Sequence, residues 1–435
     1  MNNKRAFFRY VIPSVLSFAL SGVYAIVDGF FVGNSIGDAG LSAINIAYPI
    51  AALLQAVGTC IGMGGAVRYS VLTAEGEEKK AREYIAAVMW MLIFSGAALT
   101  AVLFAYTKPI LSSLGASGEL LTLGDEYVKV LALGALLQIC ATGLVPLMRN
   151  YGGSFCAMAA MICGFITNII LDYAFVFVLD WGMYGAALAT VIGQGVTTVI
   201  ALAYCAAKRN ITLKIAPADF GKSALRLLKI GLAPFGLTLA PNIAIVLINR
   251  FSASYGGDAA IAVFACISYI ICVVYLLLQG VGDGSQPLMS QFYGAGKAKA
   301  LTQAKILSYE FAMVLALLGG VLIYLLRGKI GLLFGASADV NGEIAEVLPI
   351  FLLSFPFDAV TRISTAAFYA TEESTLSYIL TFTEPIFMLA LMLILPPLFG
   401  GQIMIWWSFV LAKIIATIVS IILSVKHGVQ TAANI

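Results

Sequence analysis

Charged residues are scarce in this chain of 435 residues: they make up 11% of the sequence, against 61% hydrophobic residues. The mean hydropathy is +0.98. A soluble domain carries about 25% charged residues to cover its surface, so the composition excludes that class. The net charge of +3 gives no indication of a nucleic-acid partner, and we expect none.

Histidine is nearly absent, and the cysteines follow no ligand pattern. The single histidine, His427, lies near the basic C-terminal end, which argues against a histidine-based metal site or proton relay. The seven cysteines lie in or beside apolar segments without a C-x-x-C motif. Such cysteines are typical of small buried hydrophobic residues rather than disulfides or metal ligands. We expect no cofactor.

What the sequence has instead is a series of apolar runs near 20 residues long, about the length that crosses a bilayer core. In lipid the backbone must satisfy its own hydrogen bonds, so each run is predicted to be a helix. The predicted fold is therefore an all-α integral membrane protein with 12 spans. They cover residues 8–32, 40–67, 84–106, 126–148, 158–179, 184–206, 231–253, 260–284, 306–326, 348–370, 376–396 and 403–425.

Lysine and arginine are distributed unevenly between the predicted loops. With the N-terminus inside, the inner side holds 18 of these residues and the outer side holds 4. The positive-inside rule then predicts an even number of spans. We expect a multi-pass protein of the plasma (inner) membrane with both termini cytoplasmic.

The chain repeats itself at a spacing of about 220 residues. Pro13 corresponds to Pro234, and the tripeptide at 37–39 (Gly-Asp-Ala) to that at 257–259. Six spans per half make both halves run in the same direction, which predicts a parallel repeat about an axis along the membrane normal, a transporter feature. The predicted domains are an N-terminal six-helix lobe (1–207), a cytoplasmic linker (208–229) and a C-terminal six-helix lobe (230–435).

Away from the span ends, the N-terminal half contains two carboxylates, Asp28 and Asp172, and no lysine or arginine. Asn168 precedes Asp172 by four residues and shares its helix face, and Thr190 is predicted at a similar depth. Hard oxygen ligands and two uncompensated carboxylates suit a proton or Na⁺. We predict that these four residues share a cation-coupling pocket, which is a metal site only if the ion is Na⁺. The alternative is that each acid is permanently protonated or faces water.

Pro13 lies in the first span, on the same predicted helix as Asp28. A proline inside a helix removes a backbone hydrogen bond and bends the helix. We predict a helix-bending role for Pro13; the alternative is a proline that the membrane helix merely tolerates.

The spans of the C-terminal half carry Asp358, Arg362, Glu384 and Lys413. Two acids and two bases can neutralise each other, so a static ion-pair network and a substrate or coupling role are both open. Arg362 is predicted to pair with Asp358 or Glu384. Asp283, among glycines at the end of span eight, is predicted to be a solvated loop acid.

Three stretches carry a family resemblance: VDGFFVGNSIG at 27–37, GLSAINIAYPI at 40–50 and GVGDGSQPLMSQFYGAGK at 280–297. With Pro13, they resemble the multidrug and toxic compound extrusion (MATE) family, in a DinF-like or related bacterial branch. The resemblance implies a V-shaped fold of two pseudo-symmetric six-helix bundles and export coupled to inward H⁺ or Na⁺. Cation binding in such relatives involves the residues matching Asp28, Asn168, Asp172 and Thr190.

The sequence also departs from the family pattern. A glutamate of the NorM-like branch is replaced by Asn242, whereas Asp358 matches that branch's aspartate in span ten. Glu384 and Lys413 depart from the pattern, which weakens the expectation of a generic drug specificity.

We expect a secondary active antiporter, not an enzyme, that exports small organic compounds, cationic or amphipathic, in exchange for H⁺ or Na⁺. Its partners would be the substrate and the lipid bilayer, and no feature predicts an oligomer, so we expect a monomer. One alternative is a lipid-linked oligosaccharide flippase, which would need a strongly basic central cleft. Another is an integral-membrane transferase, which would need D-x-x-x-D clusters that bind Mg²⁺ at a loop.

Overall fold

The computed structural model describes residues 3–208, 210–333 and 337–433. Within these ranges, the side chains of 25–26, 28–30, 32–34, 38, 41, 258, 333 and 427–433 lie outside the description. Asp28 and His427 belong to this group. All regular secondary structure in the described ranges is helical.

Fourteen α-helices, one π-helix and one 3₁₀ turn follow one another along the described chain. They are α1 (Asn3–Ala74), α2 (Glu78–Ser113), α3 (Gly118–Leu133), α4 (Ala135–Asn150), α5 (Ser154–Asp172), a π-helix (Tyr173–Val178), α6 (Gly182–Ala207), α7 (Pro217–Tyr255), α8 (Gly257–Gly294), α9 (Ala298–Leu326), a 3₁₀ turn (Arg327–Lys329), α10 (Ile330–Leu333), α11 (Ala338–Leu352), α12 (Ser354–Ala370), α13 (Ser374–Phe399) and α14 (Gln402–Ala433).

Eleven helical segments of the described chain are long and apolar enough to cross a membrane. The bent pair α3 and α4 makes a twelfth span if the two count as one. Each predicted apolar run overlaps one of these segments or the bent pair, so the prediction of an all-α, multi-pass membrane protein is confirmed. Most helices extend beyond the predicted apolar runs; α8, for example, continues to Gly294.

Helix α1 is interrupted between the first two predicted spans. Gly37 has non-helical angles (φ 77°, ψ −163°), a conformation that glycine adopts without steric penalty. Pro13 lies inside α1, and its carbonyl accepts a hydrogen bond from Ser17 Oγ at 2.7 Å. The structure thus breaks α1 at Gly37, and the bending role of Pro13 stays a prediction.

The fourth span is bent by 58° between α3 and α4. Gly134 occupies the break, and a Cβ atom there would collide with the side chain of Val191 in α6. A glycine at the bend therefore lets α6 approach the backbone closely.

The helix boundaries add detail to the predicted linker, which stays a prediction, and correct the prediction for Asp283. Helix α7 begins at Pro217, so much of the segment 208–229 is helical. Proline suits the first position of a helix because an N–H group there would have no acceptor within the helix. Asp283 lies inside α8 rather than in a loop, and it accepts a hydrogen bond from Tyr369 Oη at 3.3 Å. The prediction of a solvated loop acid was wrong because membrane helices tolerate the flanking glycines.

The contacts divide the chain into two compact units. The N-terminal unit comprises Phe8–Leu239 and Ser290–Ala298, and the C-terminal unit comprises Met1–Phe7, Ala240–Met289 and Lys299–Ile435. These bounds describe contacts alone, so the predicted lobe boundaries and their pseudo-symmetry stay predictions.

Each unit has its own apolar core. In the N-terminal unit, buried side chains such as Leu54, Leu92 and Leu131 form one cluster. In the C-terminal unit, aromatic rings pack with centroid separations of 5.2–5.9 Å; they belong to Phe264, Phe351, Trp406 and Phe409.

Candidate functional site

The buried polar groups of the N-terminal unit lie on α5 and α6. Asn168 and Asp172 are one helical turn apart on α5, and both are buried, with 2% and 0% of their surface exposed. Asn168 Nδ2 donates a hydrogen bond to Thr190 Oγ1 on α6 at 3.4 Å. The structure thus brings Asn168 to Thr190 and leaves Asp172 one turn away. The side chain of Asp28 lies outside the described part, so the pocket shared by four residues stays a prediction.

Small residues hold α5 and α6 together beside this cluster. A Cβ atom at Gly193 would lie 2.8 Å from the Gly164 carbonyl oxygen and 3.0 Å from Asn168 Cβ. Thr197 Oγ1 contacts the carbonyl oxygens of Ala160 and Gly193, each at 3.2 Å. Glycines at such a crossing let two membrane helices approach closely, which fixes the position of Asn168.

The oxygen atoms of this cluster suit a hard cation or a proton. Asn168 Oδ1 is buried and accepts no hydrogen bond from the described residues. Thr190 Oγ1 donates to the Ala186 carbonyl at 3.1 Å and still accepts from Asn168. Together with the buried carboxyl of Asp172, these are the hard oxygen donors that Na⁺ would require.

A π-helix, residues Tyr173–Val178, follows Asp172 directly. Ser35 Oγ from α1 donates a hydrogen bond to the carbonyl of Val176 at 3.1 Å, which satisfies one of its backbone groups. Such segments occur frequently at functional sites. The sequence analysis missed this element because an apolar run has the same composition in an α-helix and a π-helix.

The C-terminal unit contains a buried network centred on one carboxylate. Lys413 Nζ donates to Asp358 Oδ1 at 2.7 Å, and Arg362 Nε donates to Asp358 Oδ2 at 3.2 Å. Lys413 Nζ also lies 2.8 Å from Glu384 Oε1. The predicted pairing of Arg362 with Asp358 is confirmed. The central place of Lys413 was missed, since charge balance alone does not show which acid a lysine meets.

Aromatic and hydroxyl groups surround this network. The Lys413 ammonium lies 4.5 Å from the ring centroid of Tyr275, a cation–π contact. The hydroxyl of Tyr275 lies 2.7 Å from Ser354 Oγ, and Thr361 and Thr417 share a hydrogen bond of 3.2 Å. The charges of this network are therefore paired and surrounded by hydrogen-bonded polar groups.

The described chain has eleven apolar helical segments and one bent pair, with ionisable groups buried inside them, as is typical of a polytopic membrane transporter. The profile of the MatE family matches residues 13–174 and 237–394. The chain belongs to this family, and the family resemblance of the sequence is confirmed.

Relatives cover nearly the whole chain. The multidrug export protein MepA of Staphylococcus saprophyticus is 24% identical over 417 residues, which are 95% of this chain and 92% of that protein. MepA of Staphylococcus aureus strain MSSA476 is 25% identical over 427 residues, 96% of this chain and 93% of that protein.

Solved structures share the fold at low identity. A transporter of the MOP superfamily from Pyrococcus furiosus superimposes with a TM-score of 0.91 at 23% identity. The reversed polarity of its binding pocket has been taken to suggest a different function for that transporter. An outward-facing multidrug resistance MATE family transporter gives the same values. Each comparison covers 98% of this chain and 96% of the other.

Proposed function

We propose that the chain is a secondary active antiporter that exports small organic compounds, cationic or amphipathic, in exchange for H⁺ or Na⁺. Membership of the MatE family and the relatives named multidrug export proteins support this proposal. The observation that carries it is the fully buried Asp172 beside Asn168, whose amide contacts Thr190. We expect the protein to act in the plasma membrane with both termini cytoplasmic.

The proposed coupling follows from the electrostatics of a buried carboxyl. An ionised carboxylate is unfavourable in a low dielectric, so uptake of a proton or of Na⁺ stabilises the state in which the site is closed to water. An ion that binds one conformation better than the other shifts their populations, and an organic substrate that prefers the second conformation reverses the shift. In this proposal Asp28 completes the ion site and Pro13 lets α1 change its bend.

The test is export by purified protein in liposomes. Ethidium, a fluorescent organic cation, serves as the probe, and a pH gradient or a Na⁺ gradient is imposed separately, which also identifies the ion. We expect Asp172→Asn and Asp28→Asn each to abolish gradient-driven ethidium movement, since an amide neither ionises nor carries a proton.

The matched control is Asp180→Asn, the same chemical change at an exposed residue beyond the π-helix. It should export at the wild-type rate. Wild-type rates in both Asp172→Asn and Asp28→Asn would place coupling elsewhere and refute the proposed site. Absence of gradient-driven movement in the wild-type protein, with any organic cation tried, would refute the antiporter function.

A further inference from the structure

A cavity of about 290 Å³ lies in the N-terminal unit at the opposite end of α5 from Asp172. Ser154 begins α5 and Asn168 follows 14 residues later, roughly 21 Å along the helix at 1.5 Å per residue. The cavity is therefore separate from the proposed ion site. It is lined by Arg9, Tyr10, Gly152, Gly153, Ser154, Phe155, Cys156, Tyr204 and Lys208.

The N-terminus of α5 opens on this cavity. Its N-cap residue, Gly153, provides no side-chain hydrogen bond. The first hydrogen bond of the helix runs from the Ala157 N–H to the Gly153 carbonyl at 2.8 Å. The N–H groups of the three preceding residues, Ser154 to Cys156, have no acceptor within the helix. These groups form the positive end of a 19-residue helix.

Ser154 provides a second, independent observation. Its side chain is buried, with 5% of the residue exposed, and its Oγ has no hydrogen-bond partner among the described residues. A buried hydroxyl without a partner is unfavourable. Because Ser154 lines the cavity, a ligand there could accept the missing hydrogen bond.

The charges at the cavity have one sign. Arg9 and Lys208 are exposed and form no ion pair within the described chain, and none of the lining residues is acidic. Lys208 Nζ lies 5.8 Å from the ring centroid of Tyr204. A Cβ atom at Gly153 would collide with the Tyr204 hydroxyl, so the glycine lets this hydroxyl approach the start of α5.

We propose that this cavity binds a phosphate group through the N-terminus of α5, the hydroxyl of Ser154 and the side chains of Arg9 and Lys208. Helix N-termini and cationic side chains are the usual partners of phosphate oxygens. The cavity lies at the ends of three membrane-spanning helices, beside Phe155, which is 68% exposed. The headgroup of an anionic phospholipid and free phosphate carry the same chemistry, and the experiment separates them.

Binding is measured by native mass spectrometry on the purified full-length protein. The probes are a short-chain phosphatidylglycerol and inorganic phosphate, each titrated alone. The double variant R9Q/K208Q should weaken binding of the preferred probe by about tenfold or more, since two charge-assisted contacts are lost. The control, R82Q/K222Q, removes two exposed cations of the same unit that do not line the cavity and should bind as the wild type does.

The two probes identify the source of the phosphate group. Tighter binding of phosphatidylglycerol assigns the cavity to a lipid headgroup, and tighter binding of inorganic phosphate assigns it to a free anion. The proposal is overturned if the wild type binds neither probe, or if R9Q/K208Q and R82Q/K222Q bind alike.

Ser154→Ala separates a ligand contact from a structural one. Because the hydroxyl has no protein partner, its loss should leave the thermal midpoint of the ligand-free protein unchanged and weaken probe binding by about two- to tenfold. A lower midpoint with unchanged binding would overturn its assignment as a ligand contact. Ethidium export is a separate readout, so failure of this proposal leaves the antiporter proposal standing, and the reverse also holds.

Discussion

In the C-terminal unit, Arg362 and Lys413 share the carboxylate of Asp358, and Glu384 contacts the same lysine. In the N-terminal unit, Asp172 is fully buried one turn from Asn168, an amide whose oxygen accepts no hydrogen bond from the described residues. Burial is similar in the two places, but the neighbouring groups differ. One set of charges is neutralised by the protein itself, whereas the other belongs to the ion site that we propose.

Because of this difference, we expect the same kind of substitution to have different consequences in the two units. Removing one partner of a buried ion pair leaves an uncompensated charge, which destabilises the folded protein. Removing the charge of a carboxyl that exchanges an ion changes transport instead. We therefore expect acid-to-amide substitutions to impair folding in the C-terminal unit and coupling in the N-terminal unit.

The largest effect is expected for Asp358→Asn. The amide cannot neutralise Arg362, and Glu384 remains as the acid in contact with Lys413. One buried cation is then uncompensated, and the free energy of unfolding should fall by about 3–5 kcal/mol. The measurement is thermal unfolding of the purified protein in detergent. Asp339→Asn, at an exposed acid in the first turn of α11, is the control and should change little. A wild-type midpoint for Asp358→Asn would contradict the static network.

A smaller effect is expected for Lys413→Met. Asp358 keeps Arg362 as its partner, and Glu384, with 19% of its side chain exposed, retains access to solvent. The loss of one charge-assisted contact should reduce stability by about 1.5–3 kcal/mol, and gradient-driven ethidium export should persist. The combination of a wild-type thermal midpoint with lost export would instead give this network a coupling role.

Packing between α5 and α6 is tested by Gly193→Ala. The added methyl group would meet the Gly164 carbonyl and Asn168 Cβ, so α5 must shift, and overpacking of this kind reduces stability by about 1–3 kcal/mol. Gly195→Ala is the matched control, because the nearest atom to its methyl group would be Leu137 Cδ1 at an ordinary 3.5 Å. Equal thermal midpoints in the two variants would show that the crossing does not require a glycine.

The sequence predicts the membrane spans well because each must be apolar over its whole length, and this requirement is local. The bend at Gly134 could not be predicted, since the residue that packs against it, Val191, lies on another helix, and the chain has 42 glycines with no pattern that marks this one. The helical state of Asp283 was not predicted because its flanking glycines suggested a loop, although glycine is more frequent in membrane helices than in soluble ones.

The candidate site is only partly readable from the sequence. Spacing places Asn168 and Asp172 on one helix face, because residues four apart are neighbours in any α-helix. The contact between Asn168 and Thr190 involves two helices and follows from their crossing. The contact of Lys413 with Asp358 spans 55 residues and follows from the packing of α12 against α14, which charge counting does not encode.

The smallest effect is expected for Thr190→Val, which keeps the shape of the side chain and removes its hydroxyl. The variant loses the hydrogen bond of 3.4 Å from Asn168 and the bond of 3.1 Å to the Ala186 carbonyl. Because that carbonyl keeps its backbone partner within the helix, stability should fall by only about 0.5–1.5 kcal/mol. If the hydroxyl orients the Asn168 oxygen toward the coupling ion, the ion concentration for half-maximal ethidium export should rise by about two- to tenfold. The same proteoliposome assay measures this concentration.

Thr197→Val makes the same change two turns further along α6, where the hydroxyl contacts the Gly193 and Ala160 carbonyls instead of Asn168. Both variants remove a hydroxyl at the α5–α6 crossing, so a general loosening of the two helices would raise the half-maximal ion concentration equally in both. If Thr190 contributes directly to the ion site, the half-maximal ion concentration rises in Thr190→Val alone. Equal shifts in the two variants would therefore assign the effect to helix packing and remove Thr190 from the proposed ion site.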